Sequence, residues 1–379
     1  MALKGIRVLE FGGLAPGPFC GKVLADFGAS VTRIDRTLNN PIDCLQDGKK
    51  TLAVNLKNQK SQDLLRSLAK VHDVLIEPYR PGVMEKLHLG PDVLMKDNPK
   101  LIYARLTGFG QTGPLSKRAG HDINYIAVSG VLSFLGRKSE KPTAPINLLA
   151  DFAGGGLLCA LGICLALLER SRSGKGQIVD SSMTEGSAYI ASWLMMSQGL
   201  PIWHGARGEN VLDTGSFYYD TYETKDGKFM SVGAIEPQFY ESFVKILGLD
   251  DLSQFGSNEE AKIAVEKAFK TKTQKEWSEI FEKVDACVFP VVDWNEVDHH
   301  HHNKATSAFS RIKKDGYNLL VPIPSPRLSR TPGEAAALTN QKSHYEDAVE
   351  ILKLIGKTEK DVEKLMQDGT ILLSNEAKL

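Results

Sequence analysis

Between residues 8 and 106 short apolar, β-branched runs recur with helix-like or glycine-rich segments between them. Val8–Phe11 reads as a strand, Gly12-Gly13-Leu14-Ala15-Pro16-Gly17-Pro18 as a loop and Phe19–Phe27 as a helix. Ser30–Ile34 reads as a second strand, ending at Asp35-Arg36. Further strands are expected at Thr51–Leu56, Val74–Glu77 and Leu101–Leu106, with helices at Ser61–Ala69 and around Gly82–Leu87. Strands separated by helices pair as neighbours by crossing over the sheet face, so the alternation predicts an α/β fold with a doubly wound, mostly parallel, Rossmann-like sheet. The first unit does not fit a dinucleotide site. A G-x-G-x-x-G fingerprint needs glycines where the backbone meets a pyrophosphate, and this loop has Gly12-Gly13 followed by Pro16 and Pro18.

The second half changes character. Phe152–Leu168 carries no charge and is slightly short for a membrane span. It reads as a central buried helix, closed by Arg170-Ser171-Arg172-Ser173-Gly174, since basic residues and glycine suit a helix C-terminus. From about Ser216, Tyr218–Thr224 and Lys228–Ala234 flank Lys225-Asp226-Gly227, a hairpin signal. Helices follow at Gln238–Leu247, Glu259–Phe269 and Lys275–Lys283, the last behind a Thr273/Glu276 capping box. Cys287–Val292 reads as a strand, and Tyr345–Leu354 and Glu359–Met366 as closing helices. This organisation predicts a large α/β domain from residues 1–200 plus 320–379 and a smaller α+β domain from 216–310, with linkers between.

With 46 basic and 46 acidic residues the formal charge is zero, so no global field draws the chain to nucleic acid, and an anionic ligand must meet a local cluster. The five cysteines are scattered without zinc spacing and read as buried thiols of a reducing compartment. His299–His302 read as a solvated loop rather than a metal site, because no acidic or cysteine partner stands at ligand spacing. No secretory signal is read at the N-terminus, where a strand begins at once. The terminal Ala377-Lys378-Leu379 is similar to the Ser-Lys-Leu address, which predicts a peroxisomal import receptor as partner and peroxisomal localisation, with mitochondrial residence as well.

The chemistry centres on two side chains. His121 lies in Gly120-His121-Asp122, and Asp151 in Leu149-Ala150-Asp151-Phe152. A histidine and a carboxylate are the groups most used to move protons near neutral pH, and Gly120 lets a ligand approach the backbone. The expectation is that they face each other across one substrate carbon. Asp151 also reads as the N-cap of the apolar helix, and His121 as a buried, hydrogen-bonded histidine. Glu236, in Ile235-Glu236-Pro237, reads either as a helix-start acid or as the carboxylate that orients the imidazole. Arg36, Lys57 and Arg80 are the cations placed near strand carboxyl ends, where open α/β sheets bind ligands.

Several motifs in order carry a resemblance. Val8-Leu9-Glu10-Phe11 with Leu14-Ala15-Pro16-Gly17-Pro18, Arg80-Pro81-Gly82 and Gly108-Phe109-Gly110-Gln111-Thr112-Gly113-Pro114 resemble the family III CoA-transferases. Gly120-His121-Asp122-Ile123-Asn124-Tyr125, Ala150-Asp151-Phe152-Ala153-Gly154-Gly155 and Ala234-Ile235-Glu236-Pro237-Gln238 resemble, within that family, the racemases of 2-methylacyl-CoA thioesters. The resemblance implies proton transfer by His121 and Asp151 with Glu236 supporting the histidine. It implies CoA contacts at Arg36, at Val54, Asn55, Leu56 and Lys57, and across Gly120, Asp122, Ile123, Asn124 and Tyr125. It also implies an interlocked homodimer with the active site between unlike domains of the two chains.

The implied reaction inverts the α-carbon of the thioester. One base takes a proton from one face, an enolate forms, and the opposite acid returns a proton to the other face. This chemistry calls for no metal or redox cofactor, CoA being part of the substrate. The backbone N–H groups at the start of the Asp151 helix are the expected donors to the enolate oxygen. The alternative is CoA transfer with Asp151 as nucleophile, in which His121 has no clear task. A non-catalytic CoA-binding protein is the second alternative.

Overall fold

The computed structural model describes residues 1–38, 43–314, 316–336 and 342–372, so the terminal tripeptide lies outside the described residues. The chain divides into two compact units, 1–129 with 146–191 and 307–379, and 130–145 with 192–306.

The larger unit is built on a seven-stranded sheet. In chain order its elements are β1 (Arg7–Phe11), α1 (Pro16–Asp26), β2 (Ser30–Asp35), β3 (Lys50–Val54), α2 (Gln59–Ala69), β4 (Val74–Glu77), α3 (Val83–Lys86), α4 (Pro91–Asp97), β5 (Ile102–Thr107) and α5 (Asp122–Val128). A π-helical stretch, Leu148–Leu157, runs straight into α6 (Leu158–Ser173), followed by β6 (Ile178–Ser182) and α7 (Met183–Ile190). β1 pairs in parallel with β2 and β4, and the parallel pairing continues through β3, β5 and β6. Leu9, Phe11, Leu52, Val54, Leu75 and Tyr103, none of them exposed to solvent, pack with α2 and the C-terminal helices into one core. Strands covered by helices on both faces need such continuous apolar runs.

The strand order places the site. β2 and β3 extend to one side of β1, while β4, β5 and β6 extend to the other. The winding direction therefore reverses between β1 and β4, and the loops leaving their carboxyl ends diverge to leave a crevice. Those loops are Gly12–Ala15 and Pro78–Gly82. Pro16 and Pro18 do not delay the helix, contrary to the expectation of a loop through Pro18. They sit in the first turn of α1, where a missing N–H costs nothing and φ is already helical.

The smaller unit holds α8 (Ser192–Met196), β7 (Tyr219–Glu223), β8 (Phe229–Gly233), α9 (Pro237–Leu247), α10 (Asn258–Phe269), α11 (Gln274–Phe281), β9 (Val288–Pro290) and α12 (His301–Ala305). Its sheet runs β7-β8-β9 and is antiparallel. Phe269 is the hub of its aromatic core, stacked on Tyr222 at 5.4 Å and edge-on to Trp277 at 5.4 Å. The Thr273/Glu276 capping box forms as expected.

Five readings need correction. Residues 130–145 and 192–200 belong to the smaller unit: Arg137 forks onto Asp220 at 2.8 and 3.1 Å, and Trp203 Nε1 donates to Ser197 Oγ at 2.8 Å. The larger unit resumes at Ser307, before the hairpin β10 (Phe309–Lys314) and β11 (Tyr317–Pro322). It ends with α13 (His344–Lys353), α14 (Glu359–Gln367) and β12 (Ile371–Leu372), which pairs antiparallel with β3. The apolar helix is not central. Leu157, Leu161, Leu165 and Leu168 are each about half exposed. Although Leu148–Ser173 is long and apolar enough to cross a membrane, its other side packs on α1, α7 and the sheet. Cys20 and Cys159 are buried, but Cys44 and Cys164 are exposed and Cys287 is intermediate. The histidine run is not a loop: it ends a 3-10 turn and opens α12.

Candidate active site

A cavity of about 550 Å³ opens at the carboxyl ends of β1, β4 and β5. His121 and Asp151 both line it, together with Arg36, Arg80 and Arg118. His121 is the N-cap of α5 in an extended conformation, and its N–H donates to Asn124 Oδ1 at 3.1 Å. The histidine is exposed rather than buried.

Asp151 is not an N-cap. That place is taken by Asn147, and Asp151 stands one turn inside the π-helical stretch. Asn147 Nδ2 donates to Asp151 Oδ2 at 3.1 Å. Partial burial pushes the Asp151 carboxyl above its ordinary range against the pull of the Asn147 hydrogen bond, and the Asp122 charge adds to the rise while His121 opposes it. A carboxylate raised in this way is a better proton acceptor at neutral pH.

Asp122 is buried at 3% exposure, and its carboxylate is absent from the cavity wall. Its Oδ2 accepts from Ala150 N at 2.7 Å and from Asp151 N at 2.8 Å. The Asp122 carboxylate is thus spent on the start of the Asp151 helix, away from the cavity where a CoA contact was expected, and two of the N–H groups at that helix start are already bonded to it.

The glycines also have a different purpose from ligand access. A Cβ on Gly120 would stand 2.7 Å from the Tyr125 ring, and one on Gly108 would stand 2.1 Å from it. Tyr125 fills that space, donates its hydroxyl to Gly120 O at 2.5 Å and meets the edge of Phe109 at 5.0 Å. The ring braces the backbone on which His121 sits.

The structure thus brings together Arg36, Arg80, Gly120, His121, Tyr125 and Asp151. Ile123 and Asn124 are exposed on α5 outside the cavity lining. Val54 is buried in β3, Leu56 packs on the core, and Asn55 Oδ1 accepts from Lys57 N at 3.1 Å while Lys57 is exposed. None of these four lines the cavity. Glu236 belongs to the smaller unit, exposed as the N-cap of α9. Sequence reasoning missed Arg118, Ser116 and Thr107, the last with a buried hydroxyl that has no protein partner among the described residues. Arg118 could have been found: it stands three residues before His121, next to Lys117. Among the described residues no group of three or more His, Cys, Asp or Glu is placed to hold a metal.

A doubly wound α/β fold with arginines and a histidine–carboxylate pair at its switch point has the groups that proton chemistry on an anionic ligand needs. Residues 3–339 match the model of CoA-transferase family III. The chain is similar to alpha-methylacyl-CoA racemase of Mus musculus, 52% identical over 98% of each chain. It is also similar to the Homo sapiens protein of that name, 50% identical over 100% of this chain and 99% of the relative. Among solved structures, a CAIB/BAIF family protein from Brucella suis shares the fold, with a TM-score of 0.77, 23% identity, and 93% and 99% of the two chains covered. The chain belongs to CoA-transferase family III.

Proposed function

We propose that the chain is an isomerase that inverts the α-carbon of 2-methylacyl-CoA thioesters by two-base proton transfer. The observation that carries this reading is the opening of His121 and Asp151 into one cavity beside three arginines. The full-length likeness to two alpha-methylacyl-CoA racemases supports it. The thioester carbonyl acidifies the α-hydrogen, and the carbanion left by its removal is planar as an enolate. His121 takes or returns the proton on one face and Asp151 on the other, so each residue is base for one enantiomer and acid for its mirror image. Arginine forks match phosphate geometry, which suits Arg36, Arg80 and Arg118 to the anionic part of CoA. Ala150 N and Asp151 N are taken by Asp122, so neither is free to meet the enolate oxygen. Glu236 is assigned by the family resemblance to accept the second imidazole N–H.

The test is incubation of a single enantiomer of a 2-methylacyl-CoA in D2O. Loss of configuration with α-deuterium uptake and no acceptor acid is expected. His121→Ala and Asp151→Asn each lower exchange by at least about 10²-fold while CoA still binds. A strict need for an acceptor acid, with an acyl group trapped on Asp151 by hydroxylamine, would refute the reading in favour of CoA transfer.

The working unit in this proposal is a homodimer. The exposed leucine face of α6 supports it, since an apolar stripe of that length is rarely left in water. Sedimentation showing only monomer at micromolar concentration would exclude it. Peroxisomal residence, with a mitochondrial fraction, is proposed on Ala377-Lys378-Leu379. It is abandoned if a reporter carrying this tail stays diffuse in cells.

A further inference from the structure

We propose that Asp122 is a positioning residue that holds Asp151 in register with His121 and keeps a negative charge beside it. The inference rests on the proton-transfer reading above. Asp122 is joined to His121 by a peptide bond and to the Asp151 backbone by a hydrogen bond of 2.8 Å. One buried carboxylate thus sets the separation of the two reacting groups. It can do so because the first N–H groups of a helix have no partner within the helix. Two of them, at Ala150 and Asp151, converge on a single oxygen, Asp122 Oδ2. The wider π-helical turn is held against α5 by this clamp, and α7 and α1 pack on its other sides.

The second oxygen, Asp122 Oδ1, is buried with no hydrogen-bond partner among the described residues. Its charge is therefore only partly neutralised, and Asp151 stands next to it. The groups that act on the Asp151 carboxyl are the Asn147 amide, this carboxylate and the His121 imidazole. Tyr125 also senses Asp151, with Arg80 acting on the same phenol. The remaining charged groups on the packed elements are engaged elsewhere. On α1, Lys22 pairs with Asp26. On β5, Arg105 pairs with Glu77 and Glu85. On β6, Asp180 accepts from Gln111 N, and Glu185 of α7 is exposed. At the far end of α6, Glu169 accepts from Ser173 Oγ, Arg170 pairs with Asp73, and Arg172 is exposed. Burial is the main cause of the raised Asp151 carboxyl, and the Asp122 charge adds to it.

The experiment compares wild type, Asp122→Asn and Asp122→Ala in α-deuterium exchange and in kcat and KM across pH. Wild-type exchange is recorded first; if it is absent, the proton-transfer reading has failed rather than this one. With wild-type exchange present, Asp122→Ala is expected to lower kcat at least tenfold with KM changed less than about threefold. Asp122→Asn keeps an acceptor for both N–H groups but removes the charge, so the acidic limb of its kcat profile moves to lower pH. A merely structural role would not move that limb. The proposal is overturned if the Asp122→Asn profile keeps the wild-type limb. It is also overturned if either variant raises KM with kcat intact, which would make Asp122 a substrate contact. If Asp122→Ala fails to fold, the Asp122→Asn profile decides alone.

Discussion

Lys49→Met is the most exacting test of how the crevice is held open. Lys49 Nζ, fully buried, donates to both oxygens of Glu10 at 2.7 and 2.9 Å and to Pro18 O at 2.8 Å. It therefore ties β1 to the first turn of α1, on either side of the loop that lines the cavity. Methionine keeps the length of the stem and removes the ammonium. Glu10 is then left at zero exposure with Arg33 Nη1, 3.9 Å away, as its nearest cation. Stranding one member of a buried ion pair costs about 3–5 kcal/mol. The Pro18 carbonyl loses a donor, for about 1 kcal/mol more. Arg33 offsets part of this, although it is already committed to Asp35 and Asp43. The expected loss is about 3–4 kcal/mol, a large share of a typical 5–15 kcal/mol.

All four tryptophans, Trp193, Trp203, Trp277 and Trp294, lie in the smaller unit, so their fluorescence would miss the event. Amide hydrogen exchange of β1 and α1 in a urea series reports it directly. The double variant Glu10→Met/Lys49→Met should recover to within about 1–2 kcal/mol of wild type, because an apolar pair of similar volume carries no stranded charge. Burial raises the Glu10 carboxyl above its ordinary range, outweighing the pull of Lys49 and Arg33. The Lys49→Met defect should therefore shrink in acid, where Glu10 takes up a proton, and grow as pH rises through the raised value. A single variant within about 1 kcal/mol of wild type, or a double variant no better than the single, would refute the reasoning.

Gly154→Ala should cost about 1–3 kcal/mol by overpacking, since its Cβ would stand 2.6 Å from Ser187 N, a backbone atom of α7 that cannot step aside. Thermal melts that match wild type would contradict that contact. Asp151→Asn should abolish exchange yet stabilise the fold. A carboxyl raised in the folded state favours folding below its ordinary range and loses that contribution as pH rises through the raised value. The neutral amide of the variant escapes the loss, so Asp151→Asn should melt above wild type at pH 7 and lose that advantage by about pH 4, near the ordinary aspartate range. A lower melting temperature at pH 7 would count against the burial cost assigned to Asp151.

Local chemistry in the chain was enough for many of the elements, though not for the π-helical stretch, β6 or the β10/β11 hairpin. Runs such as Val74–Glu77 between amphipathic segments can bury themselves only in a covered parallel sheet, and Thr273 with Glu276 caps α11 whatever lies around it. Pro16 misled the reading of α1 because proline marks a loop and a helix's first turn alike. His121, next to Gly120, and Asp151 were legible as chemically apt side chains. Their common cavity was not, since 29 residues separate Asp151 from Asp122, and the bond between them spans that distance only in the folded chain. The same holds for Gly120, whose missing side chain makes room for Tyr125 rather than for a ligand. It holds also for the leucine face of α6, whose pattern spells burial while the fold leaves it half exposed. Sequence determines what each segment prefers through contacts a few residues long. Which carboxylate clamps a helix, and which raises its neighbour's basicity, depends on long-range contacts, and those exist only once the sheet has brought the segments together.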